Sequence, residues 1–177
     1  MTMATLIIGG IQVPTYALTD EFSQDYEEVA GISSARMGDG SLVVQRAWPT
    51  VSANYKLSTT ISGGGSLPAP LDGLNRGAAV EVECAEPRRI ASTSGIITVP
   101  AGRRSGDYAP RGFALVDGLL VETPLALVGN VATLTVVAGA QHYQVLYWPK
   151  FTGRITHQSS GEPWQARRSW SVTIEEA

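Results

Sequence analysis

The chain has 177 residues and a formal net charge of −3, enough length for one well-buried core or a core with a small appendage. No Lys/Arg run exceeds a pair, and the balance is acidic, which argues against a broad electropositive surface for direct nucleic-acid recognition. One cysteine, Cys84, excludes an intrachain disulfide.

Cationic residues are almost all arginine, since only Lys56 and Lys150 are lysines. Arginine's planar fork of donors suits interfaces. The pairs Arg88-Arg89, Arg103-Arg104 and Arg167-Arg168 therefore suit subunit contacts, or else solvated loops. The opening MTMATLIIGG lacks the basic start and long apolar core of a signal peptide, so the expectation is synthesis in the cytosol without secretion. The apolar stretch from Leu119 to Ala140 is interrupted by Glu122, Pro124, Gly129 and Asn130, which predicts strands and no membrane insertion.

Thr5 to Ile8 and Ile11 to Val13 read as an opening hairpin about Gly9-Gly10, where a tight primed turn needs positive φ. Residues 14–36 are expected to form an arm or a short helical insertion. Within them DEFSQDYEEV (Asp20 to Val29) is the one stretch with helical character, Asp20 serving as N-cap and Phe22 and Tyr26 spaced i, i+4, although a strand or acidic arm fits equally. Met37-Gly38-Asp39-Gly40 is a turn into a strand from Leu42 to Trp48 that Pro49 ends.

Leu57, Thr59 and Ile61 alternate with Ser58, Thr60 and Ser62, which places the first trio on one strand face. Gly63, Gly64 and Gly65 then release the backbone, and Pro68 and Pro70 stiffen it into an expected extended loop. That loop carries Leu67, Leu71 and Leu74, which are costly to leave in water unless they pack on the chain's own sheet or on a neighbouring subunit. Gly63, Gly64, Gly65, Leu67, Pro68, Pro70, Leu71 and Leu74, with Arg103 and Arg104, are accordingly the candidate interface residues.

Val80, Val82 and Cys84 face one way and Glu81 and Glu83 the other, a half-buried strand in which Cys84 is an inert buried thiol. Ile96 to Val99 is a further strand, and Arg103 to Arg111 is a loop. Phe113 to Val116 and Leu119 to Thr123 flank Asp117-Gly118, a signature of a two-residue type I′ turn; Leu125 to Val128 and Val131 to Val137 repeat the pattern about Gly129-Asn130. Gln141 to Trp148 reads as a strand covered on both faces. In the C-terminal strand region, 150–177, Arg154 to His157 is a short strand, Ser159 to Pro163 a turn, and Ser169 to Glu175 a strand with Trp170, Val172 and Ile174 inward. About ten short strands, with turn signals roughly every 8–12 residues, predict one all-β domain over 1–177: an antiparallel β-sandwich or barrel built from hairpins, with long loops and little or no helix.

Catalytic constellations are absent from the pattern. His142 and His157 lack metal-ligand spacing and one cysteine cannot complete a thiolate zinc site, so no metal or cofactor is expected. No nucleophile elbow or phosphate-binding loop occurs. Glu81 and Glu83, two residues apart on one strand face, lie near the separation of about 5 to 10 Å that glycoside cleavage requires, or else are a solvated strand face. Trp148, Trp164, Trp170 and Tyr147 would make either a core or a sugar-stacking platform.

The runs TTISGGGSLPAPLDGLNRG, VEVECAEPR, RRSGDYAPRGFALVDG, YQVLYWPKF and WSVTIEEA resemble distal tail, or tail-tip hub, proteins of long-tailed bacteriophages and prophages, with the likeness running from about Arg36 onward. The resemblance implies a non-enzymatic virion protein that forms a ring of its own copies where the tail tube meets the tip or baseplate, contacting tube, tape-measure and hub proteins. The chain is too short for the second, carbohydrate-binding-like domain of larger family members. A receptor- or glycan-binding tip protein and a cell-wall hydrolase are the competing expectations.

Overall fold

A computed structural model describes residues 4–14, 17, 22–30, 32–46, 55–65, 67–160 and 169–177. The fold is all-β and antiparallel. The chain, expected to be a single domain, divides into two compact units that interleave in sequence: Met1–Val13 with Glu81–Phe151, and Pro14–Val80 with Thr152–Ala177.

In chain order, β1 (Ile7–Ile8) and β2 (Ile11–Gln12) form the expected hairpin, with Gly9 and Gly10 both at positive φ, 59° and 77°. Of the helix, strand and acidic arm left open for Asp20 to Val29, the chain forms the strand, β3 (Ser23–Ala30). It pairs residue by residue with β6 (Tyr55–Gly64), and buried Gln24 donates its Nε2 to Thr59 Oγ1 (3.1 Å), a cross-strand partner that no local pattern reveals. The proposed cap, Asp20, lies outside the described residues. Between them, β4 (Ile32–Arg36) and β5 (Leu42–Arg46) make a separate two-stranded ribbon. Its turn is closed by the Asp39 carboxylate, which accepts from Ser41 N (2.9 Å) and Ser41 Oγ (2.6 Å); these two bonds hold the Asp39 pKa below the usual carboxylate value.

In place of the expected extended loop after β6, the chain makes one helical turn, α1 (Ala69–Asp72). Pro68 supports it by accepting from Leu71 N at 2.8 Å. Next come β7 (Ala79–Glu83), β8 (Arg88–Ser92) and β9 (Ile96–Thr98). Strand β8 was not expected, because Arg88-Arg89 looks like surface loop. After a 3₁₀ turn at Gly106–Tyr108 come β10 (Arg111–Val116), β11 (Leu119–Thr123), β12 (Leu125–Val128), β13 (Val131–Leu134) and β14 (Ala140–Tyr147). The first of these hairpins turns through Asp117 (φ 49°) and Gly118 (φ 80°), as a type I′ turn requires. The chain ends with β15 (Lys150–Ser160) and β16 (Ser169–Glu176). Strand β15 is far longer than the short run expected, and occupies Ser159 and Ser160, which were read as a turn; the remainder of that expected turn, 161–163, lies outside the described residues.

The first unit contains a sandwich. A four-stranded sheet ordered β11-β10-β14-β8 and a three-stranded sheet ordered β12-β13-β9 contribute to one core of Ile97, Val99, Ala114, Ala132, Leu134, Tyr143, Val145 and Tyr147. In the second unit, β16 and β3 flank β6. Leu57, Thr59 and Ile61 are buried as one face, and so are Trp170, Val172 and Ile174, as the alternation predicts. The register sets Trp170 opposite Gly63, where an added Cβ would lie 2.8 Å from the indole ring and also strike the Ala17 carbonyl. Among the described residues no helix is long and apolar enough to cross a membrane.

Gly63 is thus required by space. Gly63→Ala is expected to lower stability by roughly 1–3 kcal/mol through overpacking, measured by urea unfolding, whereas Gly65→Ala, with open space around it, costs only the strain of its positive φ.

Candidate interaction surface

The segment after the triple glycine finds its shelter within its own unit. Leu67, Pro68 and Leu71 are buried there, Leu71 on the inner side of the helical turn and Leu67 just ahead of it. Gln158 Nε2 donates to Leu71 O (3.3 Å) and Arg76 Nη2 to Gln158 O (2.7 Å), binding the turn to β15. Leu74 and Gly64 are half-buried, Gly63 is buried, and only Gly65 and Pro70 of the candidate set in this segment are exposed. Of the two shelters open to these side chains, the chain's own packing takes Leu67 and Leu71.

Arg103 and Arg104 also turn inward. Arg103 satisfies two backbone carbonyls and a side-chain amide, donating Nη1 to Pro100 O (2.6 Å) and Asn130 Oδ1 (2.9 Å) and Nη2 to Gly129 O (2.7 Å), which pins the β12–β13 turn. Arg104 is only 5% exposed; its Nη1 donates to Thr5 O (2.6 Å) and Cys84 O (2.9 Å), and its guanidinium lies 3.8 Å over the Tyr108 ring. It also approaches Glu83 at 3.4 Å. Lys150 Nζ sits between Glu81 (3.0 Å) and Glu83 (2.9 Å). Glu83, Arg104, Tyr108 and Lys150, with Ser105 and Asp107, line an open depression of about 240 Å³.

That arrangement decides what the carboxylate pair does. A carboxylate pair that cleaves glycosides must face its substrate, but here one ammonium bridges both carboxylates and a guanidinium reaches the second, so the pair is engaged by the chain's own cations. The bonds from Glu83 and then Glu81 raise the Lys150 pKa above the usual lysine value. His142 and His157 are exposed, and no group of three His, Cys, Asp or Glu among the described residues is placed to hold a metal ion. Tyr147, Trp148 and Trp170 are buried, Trp148 donating Nε1 to Ala85 O (3.0 Å), so none of them offers a ring face for sugar stacking. Trp164 lies outside the described residues.

Exposed apolar side chains gather instead where the sequence suggested only hairpins. On β11, Leu119 is 71% exposed, Leu120 45% and Val121 44%; on β12, Leu127 and Val128 are exposed as well. Leu120 borders a shallow groove of about 190 Å³ on the outer face of the four-stranded sheet, lined by Arg89, Phe113, Gln144 and Leu146. The run LLVETPLALV therefore passes from the edge of one sheet to the edge of the other with most of its large apolar groups in solvent. The available signal was its lack of alternation: a strand with one wet face should not read Leu-Leu-Val. The ribbon adds Met37, Leu42 and Val43, also exposed.

No protein-family model, no curated protein and no solved structure matches this chain.

Removing Arg104 takes its donor from two backbone carbonyls, Thr5 O and Cys84 O, and one of the two cations from Glu83. Arg104→Met is expected to cost roughly 3–5 kcal/mol, and Lys150→Met no more than about 1 kcal/mol because its pair is solvated. Urea titration checks both. The Lys150 contribution has a sign: with its folded pKa raised, it is fully present below the usual lysine value and lost as pH rises through the folded value, so wild type and Lys150→Met converge in strong alkali.

Proposed function

We propose that this chain is a structural subunit that acts by assembly, a component of the distal tail or baseplate hub of a long-tailed bacteriophage that joins the tail tube to the tip. The observation that carries the reading is the apolar edge from Leu119 to Val128. Monomeric soluble proteins seldom leave contiguous apolar surface uncovered, and a strand edge that does so invites another chain. The sequence resemblance supplies the setting, and the antiparallel all-β architecture suits it.

Catalysis has little support from the described residues, because Glu81 and Glu83 are tied to Lys150 and Arg104. Glycan binding loses three of the four aromatic residues that suggested it, because Tyr147, Trp148 and Trp170 are interior. The partners on this reading are further copies of the chain and the tube, tape-measure and hub proteins, and the place of action is the virion.

Particles produced from a genome carrying this gene are expected to contain the chain in fixed stoichiometry by quantitative mass spectrometry, with density for it at the tube–tip junction by cryo-electron microscopy. Its absence from particles that assemble and infect would overturn the proposal. A peptidoglycan zymogram is expected to show no clearing; clearing that Glu81→Gln abolishes would favour the hydrolase.

A further inference from the structure

Most of the described strands with an open edge carry a device against edge-to-edge pairing. Strand β3 bears Asp25, Glu27 and Glu28, β8 bears Arg88 and Arg89, and β2 and β9 have three residues or fewer. Strand β12 has four residues behind Pro124. Strand β11 has five, no lysine, no proline, and an unbroken register with β10. Its single charge, Glu122, is neutralised within the chain, because Arg111 contacts both carboxylate oxygens (Nε 2.9 Å, Nη2 2.8 and 2.8 Å). Charge, proline and bulges are the means by which edges are blunted, and β11 uses none of them effectively.

We propose that β11 is the site of a homotypic contact, in which two copies of the chain pair their β11 strands antiparallel about a twofold axis at Val121. The register follows from the turn. A two-residue turn through Asp117 and Gly118 is closed by a hydrogen bond between Val116 and Leu119, so the pairs Val116·Leu119, Ala114·Val121 and Gly112·Thr123 exchange the bonds with β10. Alternation leaves the N–H and C=O of Leu120 and Glu122 pointing away from β10. An antiparallel copy centred on Val121 sets Leu120 opposite Glu122 of its mate, and Glu122 opposite Leu120. Both outward-facing residues of each strand are then satisfied, by four new hydrogen bonds, and the two four-stranded sheets become one of eight strands.

The occupant follows from the same features. An acidic or nucleic-acid partner would meet the single cation Arg89 beside the groove, a basic partner no free carboxylate on β11, and a sugar few polar side chains. A neutral apolar strand of equal length matches, and the chain supplies one. Strand β11 supplies five residues of pairing edge, about 17 Å. The contact closes on itself, so it yields a dimer, and any ring would need a second, different surface. The inference does not rest on the tail assignment.

Two variants test it. The Leu120 N–H points away from β10 and has no partner among the described residues, so Leu120→Pro removes a donor only from the proposed contact, as edge strands tolerate. Val121 and its mate would form a non-hydrogen-bonded pair with Cα atoms about 4.5 Å apart, within the range of about 4.4–6.8 Å that a disulfide spans. Val121→Cys is therefore expected to give a covalent dimer on mild oxidation; Cys84 is fully buried and does not compete. By sedimentation equilibrium at about 100 µM, where even weak dimers populate, wild type is expected at twice the chain mass and Leu120→Pro at half that value with unchanged circular dichroism. A monomeric wild type, or a folded Val121→Cys that forms no cross-link, overturns the proposal. Should Leu120→Pro fail to fold, the cross-link decides alone.

Discussion

Every backbone N–H and C=O removed from bulk water must find a partner, and that requirement explains the placing of most polar side chains in this protein. Short strands leave many such groups beyond the ladders. Arg104 reaches Thr5 O and Cys84 O, Arg103 reaches Pro100 O and Gly129 O, Gln158 reaches Leu71 O, and Glu176 Oε2 accepts from Leu57 N at 2.9 Å. Residues that look like interface or catalytic material in sequence are occupied in this way. The arginines are braces, and the paired glutamates help to hold the cations in place.

Seen in these terms, β11 is the exception. Its outer hydrogen-bonding groups have no side chain directed at them among the described contacts, and its apolar groups lie in solvent. Where other edges are short or charged, this one has had its charge cancelled by Arg111. An assembling subunit would have that combination at the place where its neighbour sits, and it connects the internal accounting of hydrogen bonds to the proposed mode of action.

Much of the architecture was legible because period-two alternation records burial directly. Leu57/Thr59/Ile61, Val80/Val82/Cys84 and Trp170/Val172/Ile174 were placed on their buried faces, and Gly9-Gly10 and Asp117-Gly118 were placed in turns from their tolerance of positive φ. The misreadings have one cause. In β3, Phe22 and Tyr26 fit a helical spacing, but pairing with β6 overrode that preference. In β8, two arginines hid a strand whose register depends on β14. At Leu67–Leu74, apolarity alone did not say which shelter the side chains would take, and Leu67 and Leu71 are buried within the chain.

By itself, then, the sequence determined the class of fold, the turns and the facing of the alternating strands, since each depends on residues within a few positions of one another. Tertiary structure alone decided which edges stay open, which arginines are consumed as braces, and that Glu81 and Glu83 share Lys150 from 67 residues away in the case of Glu83. Those outcomes depend on which strands become neighbours, and local periodicity is the same whether a strand ends up in the middle of a sheet or at its rim.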